Sequence, residues 1–130
     1  MENPADLKYT KTDEWVKFDG ETALIGITDF AQDQLSDIVY VEFMAEEGDT
    51  VSKGDPIATV ESVKAAADVQ FPVSGTITAV NEDLADAPEA LNTDPFESGW
   101  LMKITLVDPD ELNELLDVKA YDESIEEREG

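Results

Sequence analysis

Val60-Glu61-Ser62-Val63-Lys64-Ala65-Ala66-Ala67-Asp68 is the stretch whose reading decides the fold. Two conformations compete for it. The alanine run favours helix, which would leave Lys64 a solvated lysine on a helix surface. Against that, β-branched residues stand on both sides, and Pro72 limits the length of any helix. The spacing suits two strands joined by a tight turn with Lys64 at its tip. Small neighbours then leave the lysine unshielded. An exposed lysine keeps its proton near neutral pH and is a poor nucleophile unaided. With no base beside it, such a residue makes a better attachment point than a catalyst.

Working outward, short strands punctuated by turns dominate. Glu14 to Phe18 reads as a strand, Asp19-Gly20 as a hairpin turn, and Thr22 to Ile27 as the returning strand, with Ala23, Ile25 and Ile27 on one face. Residues 29–36 suit a short helix capped by Asp29, with Phe30 and Leu35 toward the core. Asp37 to Phe43 alternates, which predicts Val39, Val41 and Phe43 inward. Gly48-Asp49 and Gly54-Asp55 mark turns around a core anchor at Val51. Ile57 to Ser62, Val69 to Phe71, Thr76 to Val80 and Trp100 to Val107 complete the strands; Pro72 to Gly75 is a turn. The connection 81–99 has room for one helical turn near Glu89 to Leu91. Asp108-Pro109-Asp110-Glu111 signals a helix start, with Leu112, Leu115 and Leu116 as its apolar stripe. A second helix runs through Tyr121 and Ile125, and Glu126 to Gly130 should fray. The expectation is one domain over residues 1–130: mainly β, a small sandwich or barrel, with a loose start at 1–13, a helical appendage at 108–128 and a tail at 129–130.

Composition narrows the function. The chain carries 32 acidic and 8 basic residues, a formal net charge of −24. Such a surface repels nucleic acid and anionic lipid, so neither is expected as a partner. The acids are spread along the chain, which fits a surface adapted to high salt. There is no Cys and no His. Thiolate chemistry, disulfides and the commonest general base are therefore missing, and protein-borne zinc, haem or a Ser-His-Asp triad is not expected. The acidic run Asp108 to Glu111 lacks the glycine and distal glutamate of a calcium loop, and no Gly-Lys-Ser/Thr follows Gly48 or Gly54 as a phosphate loop requires. Met1 to Thr10 shows no basic and apolar leader, and the apolar run Ala23 to Ile27 is far too short to span a bilayer, so a cytoplasmic location is expected.

A series of short motifs, each weak alone, recurs here in order. They are Glu14-Trp15-Val16; Gly26-Ile27-Thr28-Asp29-Phe30-Ala31-Gln32; Asp37-Ile38-Val39-Tyr40-Val41; Gly48-Asp49-Thr50-Val51; Glu61-Ser62-Val63-Lys64-Ala65; Pro72-Val73-Ser74-Gly75; Asn81-Glu82; and Gly99-Trp100-Leu101. Together they resemble the H-protein family of the glycine cleavage system, the lipoyl carriers, nearly end to end from Leu7 onward. The resemblance implies a lipoyl/biotinyl-domain-like barrel-sandwich hybrid with a short internal helix and C-terminal helices. It implies lipoate in amide linkage on Lys64, no metal and no catalytic residue. By the same resemblance, Glu61 and Gly48 match the positions that the family's lipoate-attaching enzymes read. Thr12, Glu14 and Asp68 match the cleft into which the family's loaded arm folds.

The partners implied are glycine decarboxylase, which passes an aminomethyl group to a lipoyl sulfur; a folate-dependent aminomethyltransferase, which removes it; and dihydrolipoamide dehydrogenase, which reoxidises the dithiol. The carrier itself would catalyse nothing: it is a tethered substrate whose tether raises local concentration. Some positions depart from the family pattern. Asp13 stands where His is common, Ser36 replaces a frequent Gly, Ala67 a frequent Ser and Phe96 a common Tyr. Other readings stay open at this level: a relay passing lipoate to oxoacid dehydrogenase complexes, a biotin carrier, or an interaction protein with an unmodified lysine. Val63 and Ala65 flank Lys64 where biotin acceptors usually have Met.

Overall fold

The computed structural model describes residues 3–106 and 108–129. Two sheets face each other. One has six strands in the order β1 (Lys8–Tyr9), β2 (Glu14–Asp19), β3 (Thr22–Ile27), β9 (Met102–Leu106), β8 (Gly75–Val80), β5 (Thr50–Val51). The other has three, β4 (Ile38–Phe43), β6 (Pro56–Ser62) and β7 (Ala66–Gln70). The pairings within both sheets are antiparallel. Short helices α1 (Asp29–Leu35), α2 (Asp83–Asp86) and α3 (Ala90–Thr93) fill connections. A 3₁₀ segment, Pro109–Glu114, leads into α4 (Val118–Glu129). This is the expected mainly β sandwich with C-terminal helices. Among the described residues no helix is long and apolar enough to cross a membrane.

Alternation along the strands sorts side chains into two cores. Val16, Ile25, Ile57, Val60, Phe71, Ile77, Met102 and Ile104 point between the sheets and form the larger one. Trp15, one residue from Val16, points the other way and joins Leu7, Tyr9 and Tyr121 in a second cluster beneath α4. Trp15 donates its indole N–H to the Pro95 carbonyl at 2.9 Å. Gly26 lies opposite it in register, and a Cβ there would sit 2.6 Å from the indole ring, so only glycine lets the ring lie flat on β3.

Several expectations need correction. Residues 1–13 are not loose throughout. Lys8–Tyr9 pair with β2, Tyr9 stacks on Tyr121 with ring centroids 4.7 Å apart, and the Tyr9 hydroxyl donates to the Pro4 carbonyl at 2.6 Å. The α1 cap is Thr28, whose hydroxyl accepts the Ala31 N–H; Asp29 is already helical and accepts from Gln32 Nε2. Phe30 faces Arg128 on α4 rather than the larger core, while Leu35 does pack there. A register shift in β4 between Ile38 and Tyr40 breaks the alternation, burying Ile38 and leaving Val39 54% exposed. Connection 81–99 holds two helical turns, the extra one burying Leu84. Trp100 packs in the second cluster, outside the strand, and Val107 lies outside the described residues. The leucine stripe divides: Leu112 and Leu115 pack on the larger core and Leu116 on the smaller. The chain does not fray from Glu126, because α4 continues to Glu129 and Arg128 is anchored; Gly130 lies outside the described residues.

Candidate functional site: a lysine hairpin beside an acidic groove

The Lys64 stretch is a hairpin, not a helix. β6 and β7 pair antiparallel, with Glu61 opposite Ala66, and Ser62 closes the turn. Its N–H donates to the Ala65 carbonyl at 2.8 Å, and its hydroxyl donates to that carbonyl while accepting the N–H groups of Lys64 and Ala65. A serine here does what a backbone turn alone cannot: one hydroxyl satisfies three backbone groups. The Val63 N–H reaches back to the Asp37 carbonyl at 3.0 Å, tying the tip to the start of β4. Val63 is 69% exposed and Lys64 is exposed. The Lys64 ammonium lies 3.3 Å from the carbonyl of Gln34, in the last turn of α1.

That contact places the lysine at the rim of a groove of about 180 Å³. Its floor is apolar, from Ile27, Ala31, Leu35 and Val69; its edge is polar, from Thr12, Asp13, Glu14, Gln34 and Asp68. Thr12, Glu14 and Asp68, the positions the resemblance assigns to a cleft, therefore line one space. A larger hollow of about 540 Å³ near Phe43 and Val80 contains none of the sequence-predicted site residues.

Glu14 opens β2 and is buried, 3% exposed. Its Oε1 accepts the hydroxyls of Thr10 and Thr12, and its Oε2 faces the Gln70 N–H at 3.4 Å. The Thr10 hydroxyl in turn accepts the Glu14 N–H at 3.0 Å. Burial raises the Glu14 pKa, aided by the charge of Asp13; the hydrogen bonds from Thr10, Thr12 and the Gln70 backbone oppose it without cancelling it. Asp68 is different. It is exposed on β7, and Thr59 across the strand pair donates to its Oδ1 at 2.9 Å. Of the three carboxyl groups that line the groove, Asp13 is already paired with Arg128, while buried Glu14 and exposed Asp68 can meet a cationic group.

Glu61 is exposed on β6 beside the turn, between Tyr40 and Ala66 in register. Gly48 is not part of the groove. It adopts φ +94° in the turn before β5, and its N–H donates to the Ile77 carbonyl. Thr10, Thr59, Gln34 and Ser62 escaped the sequence reading. Only Ser62 had a local signal, a hydroxyl residue two before the tip; the others act across strands or through the main chain. Among the described residues no group of three or more acids converges as metal ligands would. Asp108 instead caps the 3₁₀ segment by accepting the Asp110 N–H at 3.0 Å.

A family model described as "Glycine cleavage H-protein" matches residues 7–128. The chain is 49% identical over 126 residues to the glycine cleavage system H protein of Listeria welshimeri, covering 97% of this chain and all of the relative. It is 50% identical over 130 residues to that of Acidobacterium capsulatum, covering 100% and 99%. Among solved structures, the crystal structure of a glycine cleavage system H protein from Mycobacterium marinum superposes with a TM-score of 0.86 at 34% identity, covering 95% of this chain and 99% of the other.

Proposed function

The chain belongs to the glycine cleavage H-protein family, and from that premise we propose that Lys64 is the residue on which this lipoyl carrier of the glycine cleavage system bears its lipoyl group. The observation that carries the reading is the exposed lysine at the tip of a tight turn, beside a groove with an apolar floor and an acidic edge. These residues fit the group. The Lys64 amine makes one exposed contact, so an attaching enzyme can reach it. Ile27, Leu35 and Val69 suit an aliphatic chain, and Thr12, Glu14 and Asp68 suit a polar, cationic end.

Bound in amide linkage, the dithiolane would supply the sulfur chemistry that a chain without Cys and His lacks. The chain's own residues do the rest. Ser62 holds the turn so that Lys64 projects. Glu14, Thr12 and Asp68 place hydrogen-bond acceptors and negative charge where an amine cargo can be shielded from water. A cation beside Glu14 would draw its raised pKa back down, coupling cargo binding to ionisation of that carboxyl. Glu61 and Gly48 are the positions we assign to recognition by lipoate-attaching enzymes: Glu61 as an exposed charge beside the lysine, Gly48 through its turn. The partners are glycine decarboxylase, the aminomethyltransferase and dihydrolipoamide dehydrogenase, and the carrier catalyses no step itself.

Intact mass followed by peptide mapping of protein purified from its native host tests the attachment. The lipoyl increment is expected on the peptide containing Lys64. An unmodified Lys64, or the increment on another lysine, overturns it. For the groove, the E14Q/D68N double variant should lose its aminomethyl cargo to solvent faster than the parent when isolated from partners. An unchanged rate refutes the shielding role.

A further inference from the structure

We propose that Arg128, near the end of α4, is a positioning residue for the groove, acting through Asp13; this rests on the groove reading above. Arg128 is the chain's single arginine, among 32 acids. It grips one of them with both arms: Nη2 lies 2.8 Å from Asp13 Oδ1 and Nη1 3.1 Å from Oδ2. Nη1 also donates to the Lys11 carbonyl at 3.4 Å. Two planar forks meeting in this way fix orientation as well as charge. Its guanidinium also stands 4.8 Å from the centre of the Phe30 ring.

What Arg128 holds is the corner that shapes the groove. Asp13 lies between Thr12 and Glu14 and itself lines the groove. It has φ +72°, a conformation that Asp tolerates better than most residues. Its backbone and side chain are fixed from two elements, the cap of α1 and α4. The Thr28 N–H donates to the Asp13 carbonyl at 2.9 Å; the Tyr121 hydroxyl donates to Oδ1 at 2.9 Å; and Thr28, which caps α1, donates its own hydroxyl to Tyr121 at 2.6 Å. α4 therefore ties the Thr10–Glu14 corner to the start of α1, and residues of both the corner and α1 line the groove. Arg128 is 36% and Asp13 16% exposed, so the pair is partly shielded from solvent screening. With this clamp released, Thr12 and Glu14 remain present but lose their fixed placement.

Two readouts test this with the full chain. In unlipoylated protein, hydrogen exchange of the 10–14 amides should quicken about three- to tenfold in R128Q, with the 60–68 hairpin unchanged and R128K intermediate. In the loaded, isolated protein, R128Q should speed loss of the aminomethyl group by a similar factor. Adding R128Q to E14Q/D68N should then bring no further increase. D13N, which keeps the positive-φ tolerance, should behave as R128Q does. If E14Q/D68N speeds release but R128Q releases at the parental rate, the clamp is refuted and the groove reading stands. If E14Q/D68N itself leaves release unchanged, the groove reading falls and takes the clamp with it. Exchange that quickens equally at 10–14 and 60–68 reveals general loosening and also refutes the positioning role.

Discussion

The hairpin bearing Lys64 and the corner bearing Glu14 border one groove, yet they are built in opposite ways. The hairpin tip is held largely by its own atoms: Ser62 bonds to Lys64 and Ala65, and a backbone tie runs from Val63 to Asp37 next to the register pair of Ser62 with Ile38. The corner has bonds of its own, from Thr10 and Thr12 to Glu14, but it is also held from a distance. Its partners are Thr28, Gln70, Tyr121 and Arg128, and its foundation is the Tyr9–Trp15–Tyr121 cluster. A handle must leave the surface, so local hydrogen bonds suffice and burial would defeat it. A dock must keep its shape when empty, so it draws rigidity from packing.

The largest expected effect tests the handle's independence. Lys64→Arg should abolish lipoylation, read as loss of the mass increment, while stability stays within about 0.5 kcal/mol of the parent, as for an exposed substitution. A large loss of stability would mean that the hairpin is not self-contained.

Next comes the foundation of the dock. Tyr121→Ala removes a buried ring stacked at 4.7 Å on Tyr9 and should cost about 3–5 kcal/mol in urea unfolding. Tyr121→Phe keeps the ring but leaves Thr28 and Asp13 without the hydroxyl, and should cost about 1–2 kcal/mol. A Tyr121→Ala protein as stable as its parent would break the contrast, since the corner would then not depend on α4.

Much of the handle was legible in the sequence and little of the dock. Val60 to Asp68 carries its instructions locally, as β-branched flanks, small residues and a following Pro, so a hairpin could be read directly. The turns at Gly48 and Gly54 were legible for the same reason; both adopt φ +94°. The groove is assembled from residues far apart in the chain, and resemblance, not spacing, brought Thr12, Glu14 and Asp68 together. Even then Thr10 and Arg128 stayed invisible: a threonine among polar residues and a terminal arginine give no sign of the carboxylates they meet. The alternation rule inverted at Val39 because a register shift depends on the partner strand, which the local pattern does not contain.

A smaller effect sharpens the picture of Glu14. Burial raises its pKa above the ordinary 4.5, so folding favours the protonated carboxyl. Its contribution to stability is therefore fully present below about pH 4.5 and is lost as pH rises through the raised pKa. Glu14→Gln cannot titrate. From about pH 4.5 up to the raised pKa of Glu14 the parent should lose stability relative to this variant, with a slope of at most about 1.4 kcal/mol per pH unit, the value for one proton. Comparing the two proteins removes the shared titration of the other acids. A difference that does not change with pH would show that the dock leaves Glu14 as ionisable as an exposed glutamate.

The smallest effect lies where handle and dock meet. Ser36 ends α1, between Leu35 in the groove floor and Asp37, whose carbonyl holds the hairpin tip. It is held at φ +66°, ψ −150°, a region that is nearly glycine's alone and costs other residues about 1–3 kcal/mol. The strain persists because the backbone is pinned: the Ser36 N–H donates to the Gln32 carbonyl at 3.0 Å, and Asn92 Nδ2 donates to the Ser36 carbonyl at 2.9 Å. Asn92 also accepts the Ile38 N–H at 2.8 Å, fixing both sides of the junction. Ser36→Gly keeps all of these bonds and relieves the strain, offset in part by the greater freedom of glycine in the unfolded chain. The net gain should be about 1 kcal/mol in urea unfolding, with no change in hydrogen exchange at Val63. A gain with faster exchange at Val63 would mean that strain at the junction, and not the hairpin's own bonds, holds the lysine in place.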